Sequence, residues 1–284
     1  MGELINEIEI ETVLQVVQRA AALVDKMQRD GLHAISNKSN DIDLVTEADV
    51  ACEQLLRNEL TTLLPDAGFW GEESDQVPAE TFYWLVDPID GTTNYANNVP
   101  YYCVSVALCR EKEPILGVIA EGVTGRLFFA QKDRGAFLRN VNGQTRALQV
   151  NEKTTLRSSI LATGFPYHKA DHPDNNLAEY NHFLQDCLAL RSMGAAALDL
   201  AYVAAGAVTV FWEGWLSPWD VAAGAILVRE AGGRITDYDG NDWVIRPEST
   251  RGTIATNGQP EVYSAMIDGI KTARTVLTEK KIAV

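Results

Sequence analysis

Between residues 82 and 139 the chain strings together five short apolar runs: "FYWLVD", "YYCVSVALC", "PILGVIAEG", "RLFFA" and "GAFLR". Each is closed by turn residues. Runs of this length, rich in aromatic and β-branched residues, read as strands, and their close succession predicts a largely antiparallel sheet. "NVNG" (140–143) has the composition of a hairpin turn.

The flanks read differently. Val13, Val16, Val17, Ala20, Leu23, Val24 and Met27 recur at helical spacing, with Gly31 as a stop. A second helix starts at "TEAD", with Thr46 as N-cap and Asp49 at N3, and runs to Pro65. From about residue 155 the pattern is mixed. "SSILAT", "AVTVFW", "RITDY" and "GTIAT" read as strands. "NLAEYNHFLQDCLALRSM", "AAALDLAYVAAG", "PWDVAAGAILVREAGG" and a terminal segment from about Pro260 read as helices. The expectation is an α+β fold in two halves, residues 1–150 and 151–284, packed as one unit with a soft boundary near 145–155.

A formal net charge of −15 argues against nucleic acid as a partner, since a duplex binder needs a basic footprint. It is equally awkward for an anionic substrate unless bound cations reverse the local sign. Cys52, Cys103, Cys109 and Cys187 lack metal-site spacing and read as free thiols of a reducing compartment. The N-terminus lacks a signal-peptide pattern. No apolar stretch reaches the roughly 20 residues of a membrane span. The expected location is the cytoplasm, away from membranes.

The chemistry concentrates in "VDPIDGTTN" (86–94). Asp87 is placed where a buried strand emerges, Pro88 denies a further ladder bond and Gly91 permits a tight turn. Asp87, the carbonyl of Ile89 and Asp90 can converge on one point, and the amides of Gly91 and Thr92 can face an anion. Taken alone, the stretch is read equally well as a solvated turn. "GFWGEESD" (68–75) repeats the pattern with Glu72 and Glu73, and "SPWDVAAGA" puts Asp220 at a helix start, where it also suits the helix dipole. Asp49 is likewise a good cap. If Asp49, Glu72, Asp87, Asp90 and Asp220 converge, only protonation or metal relieves their repulsion. Oxygen ligation points to magnesium, manganese or calcium. His33, His168, His172 and His182 lie outside these clusters and read as surface residues.

"DPIDGTTN" (87–94), "GEES" (71–74), "WDVAAG" (219–224) and "DLVTEAD" (43–49) together resemble the inositol monophosphatase family, in its order and spacing, over roughly residues 10 to 270. The resemblance implies a layered αβαβα sandwich of the inositol monophosphatase and fructose-1,6-bisphosphatase type. It implies a homodimer that hydrolyses small phosphate monoesters with two to three Mg2+ per site, Mn2+ as a substitute and Li+ as an inhibitor. Position by position, it makes Glu72, Asp87 and the Ile89 carbonyl ligands of one metal, and Asp87, Asp90 and Asp220 ligands of a second. Glu72 is also placed beside a looser third ion. Asp49 and Thr92 match the pair that activates water, and Gly91 and Thr92 the phosphate cradle. Glu213 matches the group that takes substrate hydroxyls, and Gly194, Ala195 and Ala196 the pocket lining; Ile89, Asp90 and Asp220 also face substrate.

Inositol 1-phosphate is the leading ester, because the Glu213 carboxylate suits a ring hydroxyl. Histidinol phosphate, 3′-phosphoadenosine 5′-phosphate and fructose 1,6-bisphosphate are the alternatives of the same chemistry. A fold-retaining binding or regulatory protein is the alternative of another class, and a metal-stabilised structural protein is a third. The "TGFPYHKADHPDNN" stretch (163–176) reads as a pocket-edge loop in which Tyr167, His168 and Lys169 are solvated.

Overall fold

The strand and helix runs assemble into five layers in a computed structural model that describes residues 10–31, 35–37, 44–74, 77–166, 170, 172, 175–247 and 252–282. Helix α1 (Ile10–Arg29) buries a single stripe, Val13, Val16, Val17, Ala20 and Val24, and ends at Gly31 with φ 70°. Strands β1 (Ile35–Asn37) and β2 (Leu44–Thr46) form a small antiparallel pair. They lead into α2 (Glu47–Leu63), which starts with the expected Thr46–Asp49 capping box. One-sided stripes belong on outer layers, and α1 and α2 cover one face of a sheet together.

That sheet has seven strands in the sequential order β3 to β9. They are β3 (Gly68–Gly71), β4 (Phe82–Asp90), β5 (Cys103–Arg110), β6 (Glu113–Glu121), β7 (Leu127–Gln131), β8 (Ala136–Arg139) and β9 (Thr145–Ala147). Only β3 and β4 pair in parallel; every other neighbour is antiparallel. Short helix α3 (Thr92–Ala96) follows β4, and residues 140–143 turn β8 into β9 with Gly143 at φ 82°. The central strands are apolar without alternation because helices cover both faces.

A second sheet of five strands runs in the order β11-β10-β12-β14-β13. It comprises β10 (Ile160–Thr163), β11 (Ala189–Arg191), β12 (Val210–Glu213), β13 (Arg234–Thr236) and β14 (Thr253–Thr256). Helices α5 (Ala196–Ala204) and α6 (Pro218–Glu230) lie between the sheets. They are apolar almost all round, as a middle layer demands. Helices α4 (Leu177–Leu184) and α7 (Pro260–Ile282) close the outer face over Leu161, Phe183, Trp212, Val262 and Met266. The layered αβαβα sandwich is therefore the fold.

One expected element is corrected. The helix read over residues 176–193 stops at Leu184, and Ala189–Arg191 become β11, paired in parallel with Ile160–Ala162. Non-local pairing overrides the local helical pattern there.

Candidate active site

Strand β4 does not end at Asp87, as the sequence suggested; it continues to Asp90 across a bulge. Its pairing with β5 runs from Asp87↔Ser105 straight to Asp90↔Cys103, leaving Pro88 and Ile89 out of the ladder. A proline inside a strand requires such an interruption. The bulge turns Asp87, only 2% exposed, and Asp90, 8% exposed, toward the same interior corner. The Ile89 amide donates to Asp87 Oδ1 (3.0 Å), and the Thr92 hydroxyl donates to the Ile89 carbonyl (2.9 Å).

Gly91 then turns at φ 93°, where an added Cβ would stand 3.1 Å from the carbonyl oxygens of Gly194 and Tyr101. A side chain would push the two segments apart. Asn94 Nδ2 bridges the same gap, donating to the carbonyls of Tyr101 (2.7 Å) and Met193 (2.8 Å). This contact brings the start of α5 onto Asp90. The Ala196 amide donates to Asp90 Oδ1 (3.2 Å) and the Ala197 amide to Oδ2 (2.6 Å).

Glu72 leaves the end of β3, its amide bonded to the Val86 carbonyl (3.1 Å). Buried Glu53 on α2 holds this turn by accepting the Glu73 amide (2.8 Å). Arg57 donates to Glu53 (3.3 Å) and to the Ser74 hydroxyl (2.6 Å). The close approach relies on Gly71, where a Cβ would fall 2.2 Å from Glu53 Oε2. Asp220 enters as the N3 residue of α6, its Oδ2 accepting the Ser217 amide (2.8 Å). Asp49, 1% exposed, accepts both the amide (2.8 Å) and the hydroxyl (2.6 Å) of Thr46. Asp49 and Asp220 are thus helix caps as well as members of the acidic corner.

The carboxylates act on one another. Burial pushes Asp87 well above the usual carboxylate range, and the charges of Glu72, Asp90 and Asp220 push it further; it hydrogen-bonds with Glu72 and Asp220. Burial also raises Asp220 well above normal, with Asp90 and Glu72 adding to it. Burial lifts Asp90 to about 6 even though the Ala197 and Ala196 amides pull it down. Asp49 is lifted to about 7 by burial, against its Thr46 hydrogen bonds and with help from Glu72 and Glu73. Among the described residues, no three His, Cys, Asp or Glu side chains stand as a closed ligand set as placed. Oxygen-only donors and mutually raised carboxyls fit a hard divalent cation.

Glu213 closes β12, with burial raising it well above normal and Asp199, Asp220 and Asp90 adding to the shift. Gly164 makes room for it; a Cβ there would lie 2.2 Å from Glu213 Oε2. Three contributors escaped the sequence reading. Glu53 sits one helical turn beyond Asp49, a spacing that shares a face. Asp199, the lone acid of an apolar helix, is buried and accepts the Tyr101 hydroxyl (2.6 Å). The Ala197 amide carries no side-chain signal at all. His172 and His182 are half-buried rather than freely exposed, while His33, Tyr167, His168 and Lys169 lie outside the described residues.

Comparison with known proteins identifies the family. The inositol monophosphatase family pattern matches residues 6–273. An inositol-1-monophosphatase of Caulobacter vibrioides is 42% identical over 209 residues, covering 72% of this chain and 80% of its own. The Nus factor SuhB of Pseudomonas aeruginosa is 37% identical, covering 82% of this chain and 88% of its own. The crystal structure of extragenic suppressor protein suhB from Bartonella henselae superposes with a TM-score of 0.83 at 32% identity, over 92% of this chain and 98% of that one. The chain belongs to the inositol monophosphatase family and is a phosphoric monoester hydrolase of that family.

Proposed function

We propose that the protein hydrolyses a small phosphate monoester in a divalent-cation-dependent reaction, with inositol 1-phosphate as the leading substrate. The observation that carries this reading is Asp87, buried and hydrogen-bonded to two other carboxyl groups. Residues that repel one another are kept together at a site that needs them. Glu72, Asp87, the Ile89 carbonyl, Asp90 and Asp220 would hold magnesium, which when bound supplies charge neutralisation and a more acidic water.

The remaining work falls to the chain itself. Asp49, raised to about 7, is the proton acceptor for the attacking water, with the Thr92 hydroxyl between them. As placed, the Thr92 hydroxyl bonds the Ile89 carbonyl and Asp49 bonds Thr46, so the relay requires both to exchange partners. The Gly91 and Thr92 amides receive the phosphate. The amides of Ala196 and Ala197 fix the orientation of Asp90, and Glu213 accepts a hydroxyl of the alcohol half. Assembly as a homodimer is part of the same proposal.

The test is phosphate release, with magnesium and with excess chelator, from inositol 1-phosphate, histidinol phosphate, 3′-phosphoadenosine 5′-phosphate and fructose 1,6-bisphosphate. Magnesium-dependent release that favours inositol 1-phosphate is expected, with inhibition by lithium. Preference for another ester would reassign the substrate. Silence on all four esters would favour a binding role, a reading that the Nus factor name of one relative keeps in view.

A further inference from the structure

Three residues, Gly214 to Leu216, separate Glu213, the end of β12, from Ser217, the N-cap of α6. The Ser217 amide is bonded to Asp220 (2.8 Å). Both anchors therefore belong to the acidic corner. Leu216 turns inward and is buried, whereas Trp215 is 45% exposed. Trp215 also holds φ at 66°, a left-handed conformation that a bulky residue adopts only under strain. Gly214, directly before it, would take that conformation freely and does not.

An exposed indole on a strained backbone is a double expense for folding, and such outliers concentrate where ligands are gripped. The indole stands edge to face with the His172 imidazole, 4.4 Å between ring centroids at 63°. His172 lies in the same inter-strand stretch as Gly164, the residue whose missing side chain lets Glu213 approach. Along the chain only Gly214 separates Trp215 from Glu213.

We propose that Trp215 is a specificity-determining residue whose indole face receives the ring of the ester's alcohol half, beside the Glu213 carboxylate. The substrate class is then a phosphate monoester on a ring, selected over acyclic esters of similar size. A flat apolar face, whether the C–H face of a cyclitol or the plane of a heteroaromatic ring, covers an indole in a way that a short flexible chain does not. This inference rests on the reading of Glu213 as the group that meets the alcohol.

The test compares the protein with Trp215→Gly, a substitution the backbone conformation accepts without strain. Steady-state kinetics would use inositol 1-phosphate, histidinol phosphate and acyclic glycerol 2-phosphate at saturating magnesium. The ratio of kcat/KM for the preferred ring ester over glycerol 2-phosphate is expected to fall about tenfold, mainly through KM, while Tm holds or rises. Trp215→Phe should restore most of the ratio. The arm with the larger loss names the ring, cyclitol or imidazole. An unchanged ratio would overturn the proposal, as would an equal loss on all three esters. If the parent protein hydrolyses none of them, the hydrolytic reading fails, and calorimetric binding of the same esters decides the role of Trp215. Weaker binding of a ring ester alone supports it; equal binding, or none by the parent, overturns it.

Discussion

Asp90 and Glu121 face the same residue from opposite sides: Cys103 on β5 pairs with Asp90 of β4 and with Glu121 of β6. Both carboxylates are buried, yet they titrate in opposite directions. Burial would push Glu121 up, but Arg126 (2.7 and 3.0 Å), Thr124 and Tyr202 (2.7 Å) all donate to it and hold it below the usual range. Asp90 has two backbone amides, the Cys103 thiol (3.7 Å) and a corner full of carboxylates, and burial lifts it to about 6. Glu121 is satisfied by the fold. Asp90 is left for something the fold does not supply. Burial alone does not tell a structural carboxylate from a functional one; the sign of its neighbours does.

Breaking each side of this contrast should give opposite results. Asp90→Asn or Asp220→Asn should lower hydrolysis by about three orders of magnitude, or about 4 kcal/mol of transition-state stabilisation, while the fold survives. Near-normal turnover in either variant would remove them from the site. Glu53→Ala loosens the turn that carries Glu72 and should weaken apparent magnesium affinity by about 10- to 100-fold, with much of the activity recovered at high magnesium. A variant equally impaired at all magnesium concentrations would show that Glu53 acts otherwise. Glu121→Gln removes a charge facing Arg126 and should cost about 1–3 kcal/mol of stability, read as a Tm drop of several degrees, with kcat within about twofold.

The smallest effect is on pH. Asp49 and Asp90 titrate near 7 and 6 in the fold, against about 4 in an unfolded chain. Between about pH 4 and 7 the folded chelated protein therefore holds protons that the unfolded chain has released. Its stability falls as pH rises through that window. Glu121, held low, contributes with the opposite sign only at more acid pH, where its stabilisation is lost as pH falls through its folded value. Thermal melts in chelator should give a lower Tm at pH 8 than at pH 5.5, and saturating magnesium should narrow the difference. A higher Tm at pH 8 would contradict the raised carboxyls.

Much of this molecule can be read from local chemistry. The Thr46–Asp49 cap, the strand runs from Phe82 to Arg139 and the buried character of residues 221–228 each announce their place through spacing or composition. What escapes reading is set by distant partners. Ala189–Arg191 become a strand because β10 offers a free side, and Glu53 matters because Gly71 lets it reach the Glu73 amide. The Ala197 amide matters because Asn94 draws the start of α5 to the bulge. The bulge itself was half legible: Pro88 signals an interruption, but nothing local says that β4 resumes afterwards. The residue types of the site are visible in the sequence, whereas the contacts that aim them are properties of the packed layers.

The central claim is that the carboxylates at the end of β4, which meet no basic side chain among the described residues, bind cations. Thermal unfolding of the parent protein and of Asp87→Asn across a magnesium titration at pH 8 tests it most directly. The account predicts a saturable rise in Tm for the parent protein and little or none for the variant, whose Tm in chelator equals or exceeds the parent's. A magnesium response of the same size in both proteins, or in neither, would contradict it.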